Sequence, residues 1–94
     1  MVKHVYLITL KDRMMMDEVA EKLMTLKDKI PYMVSMEVGL DFKGDSNSAD
    51  IIEVCTFRNM DDFRAFGADR YHAEIREYMK DISSGTKIDY ETED

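Results

Sequence analysis

His4, Glu53 and His72 are the side chains of this 94-residue sequence best suited to moving protons. An imidazole titrates near neutral pH and needs modest tuning to take a proton from an activated carbon, so His72 is the candidate general base. His4 or Glu53 would orient it. The plainer role for His72 is a helix-flank histidine packed on Ile75 and Met79, and for His4 a satisfied core residue or part of a seam between sheets. Glu53 falls in the middle of a strand, where a carboxylate out of water is costly unless paired. An ion pair with a lysine or arginine is its simplest explanation, and a shared face with His4 is the functional one. Two histidines and a carboxylate also match the set that binds ferrous iron, but these three come from separate elements, and no metal is expected. Cys55 lies on a strand with no helix N-terminus or base beside it, so it reads as a small buried hydrophobe. Gly39, Gly44, Gly67 and Gly85 are isolated, so no phosphate-cradling loop and no cofactor is expected.

The elements that must position these groups can be read from apolar spacing. In residues 2–10, Val2, His4, Tyr6, Ile8 and Leu10 alternate with Val5 and Leu7, a strand apolar on both faces. Such a strand belongs in the middle of a sheet. Val19, Leu23, Leu26 and Ile30 recur at helical spacing after Asp17 and Glu18, and Pro31 stops that helix. From residue 32 to 42 the period changes to two, with Val34, Met36, Val38, Leu40 and Phe42 on one face of a strand near an edge. A polar loop over 43–48 leads to a third strand, 50–57. There Ile51, Glu53, Cys55 and Phe57 alternate with Ile52 and Val54, again apolar on both sides. Asn59 and Asp62 open a short helix carrying Phe63 and Phe66, which Gly67 can end. A further helix carries Tyr71, Ile75, Tyr78 and Ile82, with His72 and Met79 flanking. After a turn at 83–85, residues 86–91 form a fourth strand with Ile88 and Tyr90 on one face.

The order is β-α-β-β-α-β, an α+β ferredoxin-like plan whose first and third strands are central in an antiparallel sheet. Helices cover one face of that sheet. Val5, Leu7, Ile52 and Val54 leave an apolar patch on the other, which a second copy packed face to face would cover, making a homodimer. Tyr6, Ile8, Phe63, Phe66 and Tyr78 are the residues that would line an apolar cavity under the helices and hold a small apolar or aromatic molecule, although they also suit a filled core.

The length allows one domain, residues 1–94, with a single core. At 45 % apolar and 35 % charged residues the composition is that of an ordinary globular protein. No apolar run is long enough to span a bilayer. A net charge of −7 with scattered basic residues argues against nucleic acid and anionic membranes as partners. The start lacks a secretory core and the single cysteine cannot pair internally, so a cytoplasmic location is expected. Asp89, Glu91, Glu93 and Asp94 read as a solvated acidic end.

Several segments resemble the stress-responsive dimeric α/β barrel (Dabb) family: residues 2–5, Ile30-Pro31 leading to Glu37-Val38-Gly39, residues 50–57, the Phe63…Phe66…His72 region, and Ile88-Asp89-Tyr90-Glu91. The resemblance spans nearly the whole chain and implies a dimeric α/β barrel. That family includes stress and defence proteins and a polyketide cyclase, in which a tyrosine and a histidine act on a bound poly-keto chain. The resemblance places the histidine on His72 and a first-strand histidine on His4. It places the tyrosine on Phe66, which has no hydroxyl. Where the family often has His-Pro-x-His, this chain has Asp69-Arg70-Tyr71-His72. The resemblance thus implies a stress-responsive homodimer with a pocket between helices and sheet. The alternatives are a cofactor-free cyclase, isomerase or monooxygenase-like enzyme using His72, and a structural dimer without a ligand.

Overall fold

The computed structural model of the chain describes residues 1–93, so Asp94 lies outside the described residues. Its elements are β1 (Val2–Leu10), a short 3-10 turn (Arg13–Met15), α1 (Met16–Lys29), β2 (Met33–Leu40), β3 (Ile51–Phe57), α2 (Met60–Ala68), α3 (Arg70–Lys80) and β4 (Ser83–Glu91). The strands form one antiparallel sheet in the order β2-β3-β1-β4, with β1 and β3 in the middle. Those are the two strands whose apolar residues face both ways.

Partners directly opposite one another on antiparallel strands share a face, so the register sorts the side chains. His4 lies opposite Cys55 and Asp89, Tyr6 opposite Glu53 and Lys87, and Ile8 opposite Ile51 and Gly85. The burial of His4, Ile8, Ile51, Glu53 and Cys55 marks this as the helix-covered face. Val5 lies opposite Val54 and Ile88, and Leu7 opposite Ile52 and Thr86, on the open face.

α1 packs its Val19, Leu23, Leu26 stripe, with Ile30 just beyond the helix, onto the sheet, and all four are buried. Burial of side chains this size contributes roughly 1.5–3 kcal/mol apiece. Asp17 and Glu18 in its first turn and Lys27 and Lys29 in its last complement the helix dipole. Asn59 caps α2 by accepting from the Asp62 N–H at 2.9 Å. Asp69 ends α2 and starts α3, its carboxylate accepting from the His72 N–H at 3.0 Å. That one residue aims α3 across the sheet.

Four details differ from the sequence reading. A bulge between Met33 and Ser35 shifts the phase of β2, so Met33 is buried and Val34 turns outward. Phe42 lies beyond β2 and is 98 % exposed, since the Arg13 side chain draws the chain away by bonding Asp41 through its carbonyl oxygen at 2.8 Å and its carboxylate at 3.3 Å. The buried side of α3 is centred on Ile75 and Met79, turning His72 inward and leaving Tyr71 and Tyr78 half-buried. β4 starts at Ser83 and runs through the expected turn, and Asp89 is a paired strand residue rather than part of a solvated end. None of the helices is long and apolar enough to cross a membrane.

Candidate functional site

Two rows of side chains face each other where α3 packs along β4. On α3, His72, Arg76 and Lys80 recur every four residues and so share one helix face. On β4, Ser83, Gly85, Lys87 and Asp89 alternate onto the helix-covered face. Between the rows is a cleft of about 560 Å³, whose floor carries His4, Tyr6 and Glu53 and whose inner wall carries Phe63, Phe66, Leu23 and Ile75. Gly85 lets the Tyr6 ring pack directly against β4, because a Cβ there would come within 2.3 Å of that ring and 2.7 Å of the Leu7 carbonyl oxygen.

His4 is the hub of the floor. Its Nδ1–H donates to Asp89 Oδ1 at 2.5 Å, a charge-assisted bond from β1 to β4. An ionised carboxylate can only accept, so this bond fixes the hydrogen on Nδ1 and turns Nε2 toward Glu53, whose Oε2 lies 3.9 Å away. Glu53 is only 4 % exposed, and burial pushes its carboxyl above the ordinary value while His4 pulls it back down. Burial and the neighbouring Glu53 likewise push the Cys55 thiol up, so it is not a thiolate nucleophile at neutral pH.

His72 differs. Its ring stacks on Phe66 at 3.8 Å between centroids and 14° between planes, while the His4 ring meets the same phenyl edge-on at 5.8 Å. Its Nδ1 lies 3.0 Å from the Phe66 carbonyl oxygen and 3.0 Å from Arg76 Nη1. The carbonyl can only accept, so that bond puts the hydrogen on Nδ1 and leaves a lone pair on Nε2. A bond from Arg76 requires the opposite tautomer. Burial, with the charges of Arg76 and His4 adding to it and the Phe66 bond opposing, pushes the His72 pKa down to about 4. It is neutral at physiological pH and a weak base.

Of the residues named from sequence, His4, Glu53, His72, Tyr6, Phe63 and Phe66 line the cleft. Ile8 is wholly buried in the core beneath it. Tyr78 faces α1, under the Lys22 ammonium 5.7 Å from its ring centre. Glu53 faces His4 rather than a lysine or arginine. Among the described residues, no three His, Cys, Asp or Glu side chains gather closely enough to hold a metal ion. Asp89, Arg76 and Lys87 were not foreseen. The i, i+4 spacing of His72 and Arg76 and the alternation of Lys87 and Asp89 with Ile88 carry them.

A four-stranded ferredoxin-like sheet with helices on one face and a cleft between α3 and β4 defines an α+β protein of the α/β barrel class. The family model for the stress responsive A/B barrel domain matches residues 2–92, and the chain belongs to that family. Among solved structures it resembles a dimeric protein of unknown function and ferredoxin-like fold from Bacteroides fragilis, at 25 % identity and a TM-score of 0.81 over 97 % of this chain and 95 % of that one. It also resembles the hydroxynitrile lyase of Passiflora edulis, at 18 % identity and a TM-score of 0.80 over 99 % and 94 % of the two chains. The cofactor-independent oxygenase SnoaB of Streptomyces nogalater gives 13 % identity and a TM-score of 0.79 over 99 % and 93 %. No curated protein matches the chain.

Proposed function

We propose that the protein is a homodimeric stress-responsive α/β barrel protein that binds a small apolar or aromatic molecule in the cleft between α3 and β4. The observation that carries the ligand is the cleft itself, an aromatic-walled space of about 560 Å³ with polar groups gathered on its floor. The dimer rests on the open face of the sheet, where Leu7 is 44 %, Ile88 61 % and Tyr90 44 % exposed beside Val5, Ile52 and Val54. Monomers rarely leave so continuous an apolar surface wet. The Bacteroides fragilis structure of the same fold is described as dimeric. A structural dimer without a ligand would leave that cleft unused.

A second reading, a cofactor-free acid–base catalyst, is favoured by the Asp89–His4–Glu53 arrangement. Asp89 holds the imidazole in one tautomer, and the opposite nitrogen faces the buried Glu53 carboxyl at 3.9 Å. His4 is then the proton carrier, Asp89 and Glu53 position it, and neutral His72 serves as a hydrogen-bonding wall. The fold likenesses to an oxygenase and a lyase are too distant to speak for activity, so this reading rests on the side chains.

Sedimentation together with calorimetric titration of a bicyclic aromatic such as 2-naphthol tests both parts of the first reading. A dimer at micromolar concentration that binds the probe, and loses it when Phe63→Asp introduces a charge on the cleft wall, is the expected result. A stable monomer refutes the dimer, and a folded dimer indifferent to aromatic probes refutes the ligand site.

A further inference from the structure

We infer that the cleft's ligand is a carboxylate: an apolar or aromatic acid whose body lies against Tyr6 and Phe63 and whose carboxylate lies between Arg76 of α3 and Lys87 of β4. The inference rests on the proposed ligand cleft and narrows the class of molecule that fills it. Acidic residues outnumber basic ones by 20 to 13 in this chain, yet the cleft is lined by three cations, Arg76, Lys80 and Lys87, against two carboxylates, Glu53 and Asp89. Arg76 and Lys87 both line the cleft. Among the described residues neither has a carboxylate partner, whereas Lys80, the third cation of the rim, is held by Glu77 at 3.0 Å.

The two carboxylates nearby do not neutralise them. Asp89, two residues from Lys87 on the same face of β4, is bonded to His4, and Glu53 lies buried on the floor facing that same ring. Arg76 makes one polar contact, with a neutral imidazole nitrogen, and its planar fork suits a carboxylate better than a ring nitrogen. Floor and rim divide the work. Asp89 and Glu53 repel an anion from the His4 end, and the rim cations attract it to the α3–β4 edge of the cleft. A single negative charge fits this balance better than a phosphate dianion, which the floor carboxylates would oppose.

Titration with 2-naphthoate and its neutral isostere 2-naphthamide tests the inference. Naphthoate is expected to bind about tenfold more tightly than the amide, with a preference that shrinks as salt is added. Arg76→Gln with Lys87→Gln is expected to bring naphthoate down to the amide's affinity, with an unchanged circular dichroism spectrum showing that the variant is folded. Equal affinities for acid and amide in the native protein overturn the carboxylate but leave the ligand cleft standing. Binding of neither probe overturns the cleft and the carboxylate together. A preference that survives the double substitution overturns the assignment to these two residues.

Discussion

His4 on β1 and Asp89 on β4 are joined by a bond of 2.5 Å between side chains 85 positions apart in sequence, with the histidine largely buried. It ties the last strand to the centre of the sheet and fixes which nitrogen of His4 faces the cleft. Asp89→Asn keeps the shape, removes the charge and can present an N–H where an acceptor is needed. The variant is expected to lose about 1–2 kcal/mol of stability, a charge-assisted bond discounted for the partial exposure of Asp89. Urea unfolding measures it. An unchanged midpoint would show that the pair contributes nothing net.

His72 makes stability depend on pH in a stated direction. Its pKa is about 4 in the folded protein against 6.5 ordinarily, so between those values the unfolded chain binds a proton that the folded chain refuses. The contribution is fully present above pH 6.5 and is lost as pH falls toward about 4. Stability of the native protein should therefore drop across that window, and His72→Gln should flatten the drop. The same window gives a direct reading by NMR, where the His72 ring is expected to titrate with a midpoint near 4. A midpoint near 6.5 would mean that the ring is wet rather than stacked on Phe66.

Gly85 is required by the neighbour above it. In Gly85→Ala the new methyl would meet the Tyr6 ring at 2.3 and 2.6 Å and the Leu7 carbonyl oxygen at 2.7 Å, and the backbone contact cannot swing away. Overpacking of this kind costs typically about 1–3 kcal/mol. Displacement of Tyr6 should also weaken binding of aromatic probes. Thermal melting and probe titration read the two effects separately, and a variant as stable as the native protein would mean that β4 yields easily at this point.

How much of this was legible in the chain depends on the distance over which each cause acts. The centrality of β1 and β3 was legible because apolar residues on both faces can be satisfied only by cover on both sides, a property each strand carries in itself. The shared face of His4 and Glu53 then needed only the correct register, and it holds. The bulge at Val34 was not legible, since one extra residue in a strand leaves the composition untouched and reverses the phase of what precedes it. Asp89 was misjudged for a related reason: beside Glu91, Glu93 and Asp94 it looks like one more acid of a solvated end, and only pairing with β1 puts it against His4. The Arg76–Lys87 rim needs α3 laid along β4, a tertiary fact without a local signature.

The open face of the sheet can be tested without disturbing the fold. Ile88 lies opposite Val5 and is 61 % exposed in the isolated chain, so Ile88→Lys should barely change the stability of a protomer. Buried in a face-to-face dimer, the same ammonium would meet its symmetry mate's apolar surface and cost several kcal/mol unless it escaped to water. Sedimentation should show the variant shifted to monomer at concentrations where the native protein is dimeric, with an unchanged circular dichroism spectrum. A variant as dimeric as the native chain would place the subunit contact elsewhere.

Glu53 should make stability run the other way with pH. Burial raises its folded pKa above the ordinary 4.5, with His4 opposing in part, so across the interval above 4.5 the folded protein holds a proton that the unfolded chain has released. The protonated carboxyl's contribution is whole below 4.5 and is lost as pH rises through the folded value. Glu53→Gln keeps the volume and has no proton to lose, so its unfolding midpoint should gain on the native protein's as pH rises through that interval. Once Glu53 has ionised in the folded protein as well as in the unfolded chain, the difference should become constant. Parallel curves would show that the His4 charge fully compensates the burial, making the two side chains a resident ion pair. In that case His4 would have no free proton to give or take, and the acid–base reading of the cleft floor would fail while the ligand site stood.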